Sequence, residues 1–341
     1  MRLSNMKAAI LLVATMWLVL IGNTVKADEQ SEPNRVQTVS DVLEKPGVLT
    51  PKGMVVFDMG FSYAQNTSNK IDVIGYTVLP ALLVGLIQAN DEERTTLTLG
   101  LGMRYGFTNR FEGEIRVPFI AGFVERSTSN FNNTGDGEPE NQSSSFNGSG
   151  LGDVEVAFKY QFNVNEPPYW VGGIRYKSTT GQNPYEINLD DDVPTGSGFH
   201  SVEPNLTLIQ PLAPAVLFLN ISYIYNFEGE YDVKMKKSDG SYSVDMYEVR
   251  PGDSISLRAG MGFAVNPDLS FSLGLSHRTI LDSDIKINGE KEDSSMLQLD
   301  TINFGVNYRF SPATSMNIVS TAGLTEDSPD FQLSFNLIKS F

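Results

Sequence analysis

Apolar and polar residues alternate along most of this chain with a period of two. Ile302, Phe304, Val306, Tyr308 and Phe310 are separated by Thr301, Asn303, Gly305, Asn307 and Arg309. Leu217, Leu219, Ile221, Tyr223, Tyr225 and Phe227 recur at every second position. So do Ile255, Leu257, Ala259, Met261, Phe263 and Val265, and so do Leu269, Phe271, Leu273 and Leu275. Successive side chains of a strand point to opposite faces, so this period predicts strands with one apolar and one polar face. The polar face is mostly Gly, Ser, Asn, Thr and Arg.

Two architectures carry such strands: a soluble sandwich, or a barrel in a membrane with its apolar side to lipid. Three details favour the barrel. The segments run to about 10–14 residues, against about 5–6 in soluble sheets, and a tilted strand needs about 10 to cross an apolar band about 25 Å tall. Aromatics gather near segment ends (Tyr105, Phe107, Phe111; Phe162, Tyr169, Trp170; Tyr308, Phe310), as interfacial girdles do. Connections alternate between short (106–110, 163–168, 211–214, 266–268, 311–313) and long (125–149, 178–199, 228–252, 281–295). Short turns belong on the periplasmic side and long loops outside.

The predicted strands are 52–64, 94–106, 110–122, 150–162, 169–178, 200–210, 214–227, 252–265, 268–280, 296–310, 312–324 and 330–341. The expectation is therefore an all-β, antiparallel, up-and-down transmembrane barrel of about twelve strands, of the outer-membrane type, with both ends periplasmic. Ile71–Ala89 is assigned to the first outer loop, because a thirteenth strand would invert every later turn and Pro80 interrupts the segment.

The N-terminus adds a destination. A basic start (Arg2, Lys7), a 15-residue run from Ala8 to Gly22 that is apolar apart from Thr15, and Val25-Lys26-Ala27 read as a secretory signal peptide over 1–27. Residues 28–51 follow as a periplasmic segment and 52–341 as the barrel. Without the leader's three basic residues, 22 Lys+Arg face 41 Asp+Glu, a net charge of −19. That balance argues against nucleic acid as a partner. With no cysteine there is no disulfide, thiol nucleophile or Cys metal site. A mean hydropathy of −0.16 is too polar for a helical membrane bundle. The longest apolar run after the leader, Val78–Ile87, is half a helical span and contains Pro80. The chain ends on Phe341, with Phe331, Leu333, Phe335 and Leu337 on the same face. This terminus resembles the signal read by the outer-membrane assembly machinery, although Lys339 stands where an apolar residue is usual.

Leu97–Phe119 (LTLGLGMRYGFTNRFEGEIRVPF) and Gly148–Phe162 (GSGLGDVEVAFKYQF), with Gly47–Pro51 before the first strand, carry a family likeness. The chain resembles the outer-membrane family labelled "MetA-pathway of phenol degradation". The resemblance implies a Gram-negative outer-membrane transporter, a porin-like channel for hydrophobic or aromatic compounds. Its motifs are structural and not catalytic.

Alternation places Arg104, Glu112, Glu114, Arg116, Asp153, Glu155, Lys159, Arg175, Lys177, Glu203, Arg258, Arg278 and Arg309 inside the barrel. They read as a lumen of ion pairs or as a charged, solute-selecting constriction. The turns set Arg104 opposite Glu112, Glu155 near Arg175, and Asp153 near Lys177, whereas Arg258 and Arg278 lack an evident acid. Gly150–Asp153 lacks the Lys-Ser/Thr of a phosphate loop and reads as a turn into a strand. Asp190–Asp192 reads as a solvated loop and not a calcium site.

His277 faces lipid with Thr279 two residues on. This resembles the outer-membrane phospholipase, but the group that would orient the histidine is missing. His200 has no visible partner, and no catalytic residue, metal or cofactor is assigned. Ser127–Gly150 is expected to be mobile from its composition. The reading is a passive channel for a small solute, in contact with lipid and lipopolysaccharide, narrowed at its mouth by Leu82, Leu83, Val84 and Leu86. The alternatives are a plugged barrel with a structural or interaction role, or an acyl hydrolase.

Overall fold

The alternating segments fold as antiparallel strands that close on themselves. The computed structural model describes residues 48–341 apart from 68–72, 75–76, 79–90, 131–139, 188–191, 237–241 and 293. The signal peptide and Leu82, Leu83, Val84 and Leu86 lie outside the described residues. The strands are β1 (Val55–Thr67), β2 (Val73–Ile74), β3 (Thr77–Val78), β4 (Asp91–Thr108), β5 (Phe111–Asn130), β6 (Glu140–Leu151), β7 (Glu155–Gln161), β8 (Tyr169–Lys177), β9 (Ser201–Leu212), β10 (Ala215–Asn226), β11 (Gly229–Lys236), β12 (Tyr242–Arg250), β13 (Ser254–Ala264), β14 (Leu269–Ile280), β15 (Asp284–Ile287), β16 (Glu290–Glu292), β17 (Leu297–Ser311), β18 (Thr314–Gly323) and β19 (Phe331–Ser340).

Around the ring the order is β4, β1, β19, β18, β17, β14, β13, β10, β9, β8, β7, β5, and β5 pairs back with β4. β6 lies on the outer half of β5, so β6 and β7 share one position and the ring counts twelve, as expected. The seam is a normal ladder: β1 and β19 pair from Val56↔Ser340 to Gln65↔Phe331. A closed ring leaves no unpaired edge in lipid, where unsatisfied backbone groups are costly. Outside, Ile221, Leu257, Leu275 and Phe304 are exposed, and the opposite parity (Ser222, Ser256, Ser276, Asn303) points inward. Only an apolar solvent makes that exposure favourable.

Side chains fix the tight turns. Asn163 donates to the Glu166 and Pro168 carbonyls and accepts from Trp170 N, while Asn266 Oδ1 accepts from Asp268 N and Leu269 N. Such Asx contacts replace backbone turn bonds. Tyr105–Phe107, Tyr160–Phe162, Tyr308–Phe310 and Phe57–Phe341 pack edge-on at 5.0–5.7 Å on this periplasmic rim.

Three expectations are corrected. The fourth predicted strand (150–162) is broken: β5 pairs with β7 up to Arg116↔Glu155 and with β6 from Phe119↔Leu151, and Gly152–Val154 leaves the ladder between them. The break falls opposite Pro118, which has no N–H to give, and its carbonyl accepts from Gly152 N at 2.8 Å. The outer loop at 125–149 is largely strand, because β5 and β6 stay paired out to Asn130↔Glu140. The loops at 228–252 and 281–295 join in one four-stranded sheet, β11-β12-β15-β16, through pairs such as Val249↔Ile285. Among its described residues Ile71–Ala89 contributes the two-residue pair β2–β3, which is separate from the wall.

Candidate functional site: the lumen

The wall from β5 to β9 carries compact ion pairs. Lys159 Nζ lies 3.3 Å from Glu112 Oε1 and 2.6 Å from Glu114 Oε2, and Arg116 Nη2 is 3.3 Å from Glu114 Oε1. Arg175 bridges Glu155 (3.6 Å) and Glu203 (2.8 Å). Two expected pairings, Glu155 with Arg175 and Asp153 with Lys177, are present as ion pairs. The third is corrected: the bulge between Gly106 and Thr108 slides the register, so Glu112 faces Gly106 and Arg104 faces Glu114. Arg104 instead has its ion pair with Asp58, 3.9 Å away on β1. Asp58 was visible to the same alternation and escaped the sequence reading.

Behind this wall, residues 178–187 and 192–199 fold inward and repair the strand break. Leu151 O accepts from Thr195 Oγ1 (2.7 Å), Gly152 O from Thr180 Oγ1 (2.9 Å) and Val154 O from Ser178 N (2.9 Å), while Val154 N donates to Thr180 Oγ1 (2.8 Å). Every broken ladder group named here regains a partner, as buried backbone requires. Asp153 is fully buried at the hub. Its Oδ1 accepts from Gly181 N (3.0 Å), and its Oδ2 from Ser197 N (2.8 Å), Ser197 Oγ (2.6 Å) and Lys177 Nζ (3.2 Å). Lys177 also donates to Ser197 Oγ and to Phe199 O (2.8 Å). The loop backbone lies so close to β6 that a Cβ on Gly148 would collide with the Val193 carbonyl.

The opposite wall, β13, β14 and β17, is lined by small polar residues. Between the walls is a cavity of about 460 Å³, and both Arg258 and Arg278 line it. Arg258 faces Ser276 and Arg278 faces Ser256 across the β13–β14 ladder, so the two arginines are diagonal neighbours. Arg278 is 6% exposed, and its buried Nη1 has no hydrogen-bond partner among the described residues. The cavity's acids are engaged elsewhere: Glu155 with Arg175, and Asp58 with Arg104. Arg309, also buried, points inward nearer the periplasmic end.

The periplasmic end is stopped from below. Leu49 packs on Tyr169, Val171, Ile209 and Val216. Val48 N donates to Gln161 Oε1 (3.2 Å), Thr50 N to the buried Glu112 Oε2 (2.8 Å), and Gly53 N to Gly106 O (2.8 Å). Gly106 is needed there, since a Cβ would strike the Thr50 and Pro51 carbonyls. Residues 48–51 belong to the segment expected at the periplasmic side, and their insertion against Gln161 and Glu112 leaves no mark in the alternation.

Two histidine expectations change. Asp300 lies directly opposite His277 on β17, its Oδ1 2.6 Å from Nδ1, and Thr279 Oγ1 is 3.1 Å from Nε2. The orienting group is thus an aspartate. His200 pairs with Tyr176, whose hydroxyl is 2.8 Å from Nδ1 under stacked rings. Outside the membrane span, Tyr185 stacks on Tyr231 at 4.1 Å, and burial pushes its hydroxyl pKa well above the ordinary tyrosine value. Among the described residues no cluster of His, Cys, Asp and Glu is arranged to hold a metal.

A ring of twelve antiparallel strands, apolar outside and polar within, defines a β-barrel of the outer-membrane type, resident in the Gram-negative outer membrane. The chain belongs to the family described as "MetA-pathway of phenol degradation", which matches residues 117–339. Among solved structures it is similar to the COG4313 outer membrane channel from Pseudomonas putida F1, with a TM-score of 0.58 and 16% identity over 93% of this chain and 100% of that one. It is also similar to the Pseudomonas putida toluene transporter TodX (TM-score 0.40, 12% identity, 90% of this chain and 94% of that one). A third likeness is to the CymD monoaromatic hydrocarbon channel (TM-score 0.42, 9% identity, 85% and 89%).

Proposed function

We propose that this barrel passes small hydrophobic or aromatic solutes by diffusion and that it acts as a transporter, not an enzyme. The observation that carries the reading is the cavity of about 460 Å³ inside the ring, where Leu299, Ile120, Pro118 and Val319 face Arg258 and Arg278. That is the size and mixed polarity of small-molecule sites, which span about 300–1,000 Å³. The segment from Val48 to Pro51 acts as the periplasmic stop. Phe341 is the residue read by the assembly machinery.

Planar-bilayer conductance and liposome uptake test the proposal. The intact mature chain should conduct weakly. Leu49→Asp, which puts a charge among Tyr169, Val171, Ile209 and Val216, should raise conductance several-fold. No conductance or uptake in either protein would favour the plugged barrel.

A second reading, an acyl hydrolase on the lipid face, is favoured by one observation: Asp300, His277 and Thr279 stand in the order carboxylate, imidazole, hydroxyl. Lipid-ester hydrolysis by the wild type that is lost in both His277→Ala and Thr279→Ala would support it. Equal release of fatty acid from wild type and variants would dismiss it.

A further inference from the structure

We infer that Arg258 and Arg278 form a binding site for the carboxylate of a small organic monoanion, so that the solute is an aromatic or aliphatic acid and not a neutral hydrocarbon. The inference rests on the channel reading for its meaning, but the binding itself does not require an open pore.

The first argument is charge that has nowhere to go. Arginine keeps its proton inside proteins, so a buried guanidinium cannot relieve its desolvation by titrating. Its remaining relief is an anion. Nearly every other inward cation described above has a carboxylate: Lys159 and Arg116 have Glu114, Arg175 has Glu155 and Glu203, Lys177 has Asp153, and Arg104 has Asp58. Among the described residues Arg258 and Arg278 have no carboxylate at ion-pair distance, and Arg278 Nη1 is buried without a hydrogen-bond partner; Glu203, held by Arg175, is the acid whose charge Arg278 feels from farther off. The two sit diagonally on adjacent strands, a separation of about 7–8 Å between backbones that lets both forks reach one bound group. Like charges held that close repel until something negative lies between them.

The second argument is what surrounds them. The hydroxyls of Ser256 and Ser276 are the cross-strand partners of Arg278 and Arg258 and supply further donors. A guanidinium presents paired N–H groups that match a carboxylate edge-on. Of the ionic side chains lining the cavity, Asp58 is held by Arg104, Glu155 by Arg175 and Arg116 by Glu114, so the charges left for a ligand are the two guanidiniums, which one carboxylate can bridge. Leu299 lies directly opposite Arg278 in the β14–β17 ladder, with Ile120, Pro118 and Val319 on the same cavity. A ligand held by its carboxylate would therefore lay an apolar body on these four.

Benzoate is the test probe and benzyl alcohol its uncharged control. Equilibrium dialysis is performed on the mature chain folded in zwitterionic micelles, with folding checked by heat-modifiable migration. Wild type should bind benzoate at least ten-fold more tightly than benzyl alcohol in 20 mM NaCl, and 500 mM NaCl should erase most of that preference. Arg258→Gln/Arg278→Gln should lose benzoate at least ten-fold while keeping benzyl alcohol. If that variant fails to fold, Arg278→Lys, which keeps the charge but loses the fork, should weaken benzoate about three-fold. Equal affinity for the two probes in wild type, or benzoate affinity unchanged by salt and by substitution, overturns the proposal. Benzoate binding without conductance would leave the site standing and remove the channel. Conductance without benzoate preference would do the reverse.

Discussion

The two walls of the lumen spend charge differently. From β5 to β9, each inward carboxylate and cation named above is locked to an opposite, and the innermost pair, Asp153 with Lys177, is tied into the loop that mends the strand break. From β13 to β17 the cavity lining is Ser, Asn and Thr with Leu299, and Arg258 and Arg278 are set among them with no acid at ion-pair distance among the described residues. Charge on the first wall holds the protein's own shape. These two charges on the second have no such partner, which is where a ligand is to be sought. Residues kept at a cost to stability are commonly kept for function.

Substitutions can break that contrast. The largest effect is expected from Lys177→Met, which strands the fully buried Asp153 carboxylate. Breaking a buried pair from one side costs about 3–5 kcal/mol, so the urea midpoint in micelles should fall sharply. Glu114→Gln should cost less, near the lower end of about 1.5–3 kcal/mol for a hydrogen bond to a charged group, because Lys159 keeps Glu112. Arg278→Met should change stability by no more than about 1 kcal/mol and in the favourable direction, since an apolar side chain replaces an unpartnered buried charge. Should Arg278→Met destabilise as much as Lys177→Met, the two walls are not different in kind.

Much of the ring was legible because its solvent imposes a rule at every position: outward residues must suit lipid, so the period of two survives along whole strands such as β13 and β17. Parity also brought Glu155 to Arg175 and Asp153 to Lys177, and both pairs are present as ion pairs. Register was less legible, because one bulge at Gly106–Thr108 moves Arg104 from Glu112 to Glu114, and a bulge leaves no mark in the alternation. The inward loop was not legible. Thr180, Thr195 and Ser197 matter through the carbonyls and carboxylate they reach across more than a dozen residues of sequence, and polar loop composition does not record such targets. The outer sheet was missed for a related reason: Tyr242–Arg250 and Asp284–Ile287 alternate but are short and lie in polar connections, and their pairing is between loops.

That outer sheet joins the far ends of two hairpins that are neighbours in the membrane ring. Val249↔Ile285 and Tyr247↔Ile287 stitch the β10–β13 connection to the β14–β17 connection, with Lys286 Nζ 2.7 Å from Glu248 Oε2 as a charged clasp. At the cell surface the two connections therefore present one shared epitope. An antibody that recognises the folded patch will contact residues some forty positions apart, and neither peptide alone will compete for it.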